Sequence, residues 1–257
     1  MGTYYTGNPW LGLLIGILAG VVIAGVHSLI RVEFGGAQNV SGIGLNTLAA
    51  GLTAFFCRSV FGSGKFDVIA SIQTTPLLSG IPVIGDFLAS FSPIFYIMIV
   101  LFSVCAYLMN KSVLGLRMTA VGDDPATVET AGINVWKLRH MCVLICGAFA
   151  GLAGAYLSIG QLNIFVEDMT NGKGMLAVIA VKMGRWDPRR IVLVALMFGF
   201  FDALQLQLQI SNALNMPTEI IQTIPYIVGI IAIALDTNSV AVPRAMRKPY
   251  LKNKYKF

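Results

Sequence analysis

Six stretches of this 257-residue chain, 10–30, 39–57, 92–110, 141–160, 191–210 and 219–235, are apolar for about the 20 residues a helix needs to cross a bilayer. Only 12% of the residues are charged, against roughly 25% in an ordinary soluble domain. With a mean hydropathy of +0.76, the chain reads as an all-α, polytopic helical membrane protein. A seventh stretch, GMLAVIAVKMG at 174–184, is too short to cross as a full helix. It can cross as half of a broken helix if the segment before it lines a cavity. The expectation is about seven crossings in one membrane domain, 1–257.

Charge decides whether the seventh stretch crosses. With seven crossings and the tail inside, the inner segments are 31–38, 111–140, 182–190 and 236–257. They hold Arg31; Lys111, Arg117, Lys137 and Arg139; Lys182, Arg185, Arg189 and Arg190; and six cations of the tail, fifteen of the eighteen lysines and arginines. Only Arg58, Lys65 and Lys173 fall outside. Without the crossing, the basic loop 182–190 and the basic tail would need opposite sides from loop 111–140. The positive-inside rule therefore favours it. The net charge of +6 is topology, and nucleic acid is not expected as a partner. The chain then starts outside, and no cationic n-region precedes its first span.

Polar residues inside such a bundle are the informative ones. Asp202 falls near the middle of 191–210, where an aspartate costs roughly 2.5–3.5 kcal/mol and must face protein or water. Gln205 and Gln209 follow at i+3 and i+7 on the same face. The stripe reads either as the wall of a path for a polar solute or as interhelical packing. Asn46, in SGIGLNTLAAG, has the same two readings. The stretch FVEDMTNGKGML at 165–176 opens the short crossing, where a half-helix N-terminus would offer N–H groups to a substrate. The alternative is a surface loop with Glu167 and Asp168 solvated. Gly12, Gly16 and Gly20, and Gly147, Gly151 and Ala155, recur every fourth residue and mark close helix packing.

Signals of enzyme chemistry are missing from the sequence. SGKF at 63–66 and NGKG at 171–174 lack the phosphate-loop spacing. The two histidines, His27 and His140, belong to no HExxH pattern and no evident Ser/His/Asp set. His27 reads as a satisfied interfacial residue. Cys142 and Cys146 share a helix face, but no neighbouring histidine makes a metal site with them. The expectation is no metal, and no cofactor bound by this chain. NVS at 39–41 and NKS at 110–112 match the glycosylation pattern but fall on the inner side.

The polar run AVGDDPATVETAGINV at 120–135 stands out between apolar stretches. Asp123 or Asp124 can cap a helix that Pro125 opens and Gly132 stops in a left-handed conformation. About two turns, 125–131, remain, too few to be stable alone. Asp123, Asp124 and Glu129 offer acids to a soluble partner, and the aspartates also complement the helix dipole. The cytoplasmic loop 111–140 thus reads as a docking element.

At these residues the sequence resembles a known family. GLRMTAVGDDPATVETAGINV is similar to the cytoplasmic coupling segment of ABC importer permeases of the branched-chain amino acid and simple-sugar superfamily. GAFAGLAGAYLSIG, EDMTNGKGMLAVIAVKMGRWDP, FGFFDALQLQLQ, NVSGIGLNTLAAGLTAF and GNPWLG resemble the nucleoside-type branch, which works with a basic-membrane-protein lipoprotein. The resemblance covers nearly the whole chain. Such permeases carry further upstream helices with a Gly-Leu-Glu-Gly type stretch, so an N-terminally short chain is expected.

The resemblance implies a multi-pass permease of the bacterial cytoplasmic membrane with its C-terminus in the cytoplasm. It implies an ABC ATPase subunit that holds ATP and magnesium, a second permease subunit and an extracytoplasmic substrate-binding lipoprotein. Asp123, Asp124, Pro125, Glu129 and Gly132 would form the ATPase coupling element, and Asp202, Gln205, Gln209 and Asn46 the path for a nucleoside. The alternatives are a pentose or hexose permease, a self-contained ion-coupled carrier that uses Asp202, and a structural anchor.

Overall fold

The computed structural model describes residues 1–62, 72, 91–211, 217–235, 242–246 and 250. Most of the outer stretch 58–91 and of the tail 236–257, with Lys65, lies outside the described residues. The helices are α1 (Gly2–Thr6), α2 (Pro9–Ser28), α3 (Gln38–Phe61), α4 (Pro93–Lys111), α5 (Val113–Asp123), α6 (Pro125–Thr130), α7 (Val135–Ala155), α8 (Lys173–Met183), α9 (Pro188–Ser211), α10 (Thr218–Ile221) and α11 (Ile224–Leu235). A π turn, Leu29–Glu33, extends α2, and another, Tyr156–Leu162, extends α7. No strand occurs among the described residues.

Among the described residues, five helices are long and apolar enough to cross a membrane: Pro9–Glu33, Gln38–Val60, Pro93–Lys111, Val135–Leu162 and Pro188–Ser211. They coincide with five of the six expected spans. Their outer faces carry large apolar side chains such as Leu18, Val22, Ile43, Leu193 and Leu196, all more than 60% exposed. A surface of that kind belongs against lipid or protein.

The sixth expected span is interrupted. α10 is four residues long, and α11 begins two residues later with Pro225 in its first turn. Pro225 has no N–H to donate to the Ile221 carbonyl, so the run 219–235 divides between Ile221 and Ile224. α11 and α8 have 12 and 11 residues, or about 16–18 Å each, roughly half of a bilayer core.

The described chain forms two compact units. The first contains residues 1–169 and 243–257, and the second residues 170–242. In the first, α2 packs along α7 through the small-residue stripes. A Cβ on Gly20 would lie 2.3 Å from the Gly147 carbonyl oxygen, and one on Gly151 2.4 Å from that of Gly16. These backbones touch, as the four-residue spacing predicts. Gly12 differs from its stripe, because it faces Thr3 of α1 instead. Leu13, Ile94, Leu152 and Ile159 form the buried core beside this contact.

In the second unit α8, α9 and α11 pack on one another. Gly229 of α11 marks the meeting point, where a Cβ would stand 3.5 Å from Phe198 of α9 and 3.8 Å from Ile179 of α8. Asp187 caps α9 by accepting from the Arg189 backbone N–H at 3.1 Å.

Candidate translocation wall and coupling segment

Three of the four proposed path residues lie on α9 in the second unit. Gln205 is buried, at 8% exposure. Gln209 follows one turn later, its Nε2 buried and without a hydrogen-bond partner among the described residues. Asp202 is not alone, because Lys173 Nζ donates to its Oδ2 at 2.9 Å. Asn46 belongs to α3 of the first unit and is exposed.

The charge count leaves Lys173 off the basic side. Lys173 is the first residue of α8. Ten residues of helix, about 15 Å, separate it from the end of α8, and Asp202 is about 21 Å along α9 from Pro188. The α8 N-terminus is therefore level with mid-α9, as a half-helix requires.

The loop leading to it is built to hold that position. Asp168, Asn171 and Gly172 take positive φ angles of 57°, 39° and 74°. Asn and Asp accept this region more readily than other side chains, and glycine most readily. Tyr226 of α11 donates its hydroxyl to the Asn171 carbonyl, and a Cβ on Gly172 would stand 2.8 Å from that hydroxyl. The result is a charge-neutral pair and two amides along one side of α9, one amide with an N–H donor unsatisfied among the described residues. Such a set hydrogen-bonds a polar, uncharged solute.

Glu167 is not merely solvated. It accepts two hydrogen bonds from Arg58, at 2.7 and 3.0 Å, in a fork that ties the end of α3 to the loop after α7.

The coupling segment is more structured than a loop with one short helix. Residues 113–123 form α5, capped by Ser112, whose Oγ accepts from the Gly115 N–H at 3.2 Å. Asp123 is the last residue of α5, and Asp124 is the cap of α6. The Asp124 carboxylate accepts from the N–H groups of Ala126 and Thr127 and from the Thr127 hydroxyl at 2.6 Å. The Thr127 hydroxyl above all, then the Thr127 and Ala126 N–H groups, holds the Asp124 carboxyl below the usual carboxylate range.

Pro125 opens α6 and Gly132, at φ 80°, closes it. The Ile133 N–H reaches back to the Val128 carbonyl at 3.3 Å, as in a Schellman motif. Val128 is buried with Val121, Val135 and Leu138, which anchors the two-turn helix. Asp123, Asp124, Thr127 and Glu129 are exposed. Glu129 accepts a hydrogen bond from Tyr250, a partner the sequence does not point to.

A serine–histidine–glutamate relay, which the sequence does not reveal, joins the end of α2 to α7. His140 Nδ1 is 2.6 Å from Ser28 Oγ, and its Nε2 is 3.0 Å from Glu33 Oε1. A nucleophile must reach its substrate, and Ser28 is 1% exposed, so the relay acts as a clasp. His27 Nδ1 is 2.9 Å from Ser41 Oγ, in keeping with a satisfied residue. Among the described residues no group of three or more His, Cys, Asp or Glu gathers as a metal site.

Residues 1–233 match the family described as branched-chain amino acid transport system / permease component. The chain belongs to this family. It is 34% identical, over 96% of its length and 83% of the relative, to a putative glucose ABC transporter permease protein of Haloferax volcanii. It is 33% identical to the guanosine ABC transporter permease protein NupQ of Bacillus subtilis, over 96% of the chain and 79% of the relative. The nucleoside ABC transporter permease protein NupC of Lactococcus lactis is 32% identical over 98% of the chain and 81% of the relative. No solved structure matches. This permease is thus a transport component of an ABC system, which sets aside the self-contained carrier and the anchor.

Proposed function

We propose that the permease forms the translocation path of an importer for nucleosides. The observation that carries this reading is the wall of α9, with the Lys173–Asp202 pair at 2.9 Å, buried Gln205, and the unsatisfied Nε2 of Gln209. A compensated carboxylate suits an uncharged solute better than a zwitterion. Amides that accept and donate together suit the edge of a nucleobase, and the pair suits ribose hydroxyls. Asn46 would join this path from α3.

Two nucleoside-type relatives support the reading. The putative glucose relative supports a second one, a simple-sugar permease, whose hydroxylated solute the same wall would bind.

In this reading an ATPase subunit binds ATP and magnesium and presses on Pro125–Thr130 through Asp123, Asp124, Glu129 and the turn at Gly132. Rigid helices carry the movement to the path as a rocking motion. A second permease subunit completes the path, and a lipoprotein delivers solute from outside. The setting is a bacterial cytoplasmic membrane, with the C-terminus inside.

Uptake of labelled guanosine by cells that express the whole system tests the path. Asp202→Ala abolishes uptake while the complex still co-purifies. Loss of the complex instead returns Asp202 to a packing role. Competition by unlabelled glucose rather than by other nucleosides favours the sugar reading.

A further inference from the structure

The coupling helix α6 has six residues, and a helix of that length does not hold itself. Its cap and Val128 secure the N-terminal end and the inner face. Glu129, in the last turn, is badly placed by helix electrostatics, because a carboxylate there meets the negative end of the dipole. A separate part of the chain addresses that end.

Residues 243–246 lie against the end of α5. The Ala245 N–H donates to the Gly122 carbonyl at 3.0 Å, two residues ahead of the Asp124 cap. A Cβ on Gly122 would lie 3.6 Å from Pro243, and a turn closes with the Met246 N–H on the Pro243 carbonyl at 2.9 Å. Tyr250 then reaches the other end of α6. Its hydroxyl donates to Glu129, and its ring packs against the cluster of Val121, Val128, Val135 and Leu138. Arg139 of α7 stands 5.7 Å from the ring centroid, within cation–π range. Residues 243–246 therefore contact the chain before the coupling helix and Tyr250 contacts its last turn, tying that helix to the first turns of α7.

We propose that residues 243–246 and Tyr250 strap the coupling helix at its two ends, and that Tyr250 is a positioning residue for the transmission of ATP-driven movement. The proposal rests on the reading of Pro125–Thr130 as the ATPase contact. A push on α6 moves α7 only if α6 cannot yield. The buried Val128 resists movement toward the core, and the strap resists tilting of the last turn. Without the strap the ATPase turns over while the path responds poorly.

The test uses the complete importer in proteoliposomes and reads solute transported per ATP hydrolysed. Tyr250→Phe removes only the hydroxyl, and the ratio falls about fivefold, the weight of one ordinary exposed hydrogen bond. Tyr250→Ala removes the ring as well and lowers the ratio further. Basal ATPase activity and subunit stoichiometry stay unchanged. Amide exchange across residues 124–133 rises in both variants.

In parallel, Thr127→Cys, on the exposed face of α6, is tested for crosslinking to the ATPase. If the crosslink forms and the ratio is unaltered in both Tyr250 variants, the strap proposal is overturned and the coupling reading survives. If no crosslink forms in an active complex, the coupling reading falls and the proposal falls with it.

Discussion

Lys173 and Asp202 join the first residue of a half-length helix to the middle of a full-length one, across 2.9 Å. Each charge accounts for the other. A cation beside the aspartate offsets the cost of placing its charge in an apolar helix, and the lysine would otherwise oppose the positive end of its own helix.

Breaking the pair from either side should cost more than removing it. Lys173→Met leaves Asp202 uncompensated, and guanosine uptake falls about tenfold, the equivalent of ~1.4 kcal/mol. Both side chains are partly exposed, so the loss is smaller than for a sealed pair. The double variant Lys173→Met, Asp202→Asn recovers most of the uptake if the pair serves neutrality. Uptake and expression measured together decide this, and a double variant as poor as the worse single one counts against it.

Gln209 separates solute contact from packing. Its Nε2 has no hydrogen-bond partner among the described residues, so Gln209→Leu breaks no hydrogen bond made by that nitrogen. The complex should keep its thermal stability while the apparent KM rises about tenfold, because a buried donor lost from the path weakens solute binding. A drop in stability with unchanged KM would assign Gln209 to packing.

The α2–α7 contact should tolerate no side chain. Gly20→Val forces a Cβ to within 2.3 Å of the Gly147 carbonyl, where the obstacle is backbone and cannot rotate away. Overpacking of this kind costs about 1–3 kcal/mol or more. Gly44→Ala is the control, since nothing lies within 4 Å of its Cβ position. Thermal unfolding in detergent should show a clear loss for the first and little for the second.

The α6 cap has a predictable pH response. The Asp124 carboxyl lies below its ordinary value in the folded protein. Its stabilising effect is therefore complete above the unfolded value of about 3.9 and is lost as pH falls through the lower folded value. Amide protection across 126–130 should hold from neutral pH to about 4 and then decline. Asp124→Asn keeps a cap acceptor and should flatten that decline, whereas Asp124→Ala should reduce protection at every pH.

Local features were the legible ones. Asp124, Pro125 and Gly132 lie within nine positions, and each acts on its immediate neighbours, so α6 could be read almost to the residue. The glycine stripes announced a close contact for the same reason. The break at Pro225 was less visible because the apolar run continues through it and hydropathy averages over one proline. α5 is less legible because its eleven residues are too few for a span and its cap, Ser112, directly follows the end of α4.

Contacts between distant residues were not legible at all. Lys173 and Asp202 are 29 positions apart, Ser28 and His140 112, and Glu129 and Tyr250 121. The one usable hint was that Lys173 was among three cations off the basic side. A charge with no topological role, near an intramembrane aspartate, is a candidate partner.

The most direct test is mass spectrometry of the complex purified from native membranes in mild detergent, with identification of the small molecule carried by the binding lipoprotein. The account predicts an ATPase, a second permease chain and a lipoprotein that releases a nucleoside. A lipoprotein loaded with a hexose would contradict the substrate, and a permease that supports uptake without any ATPase would contradict the mechanism.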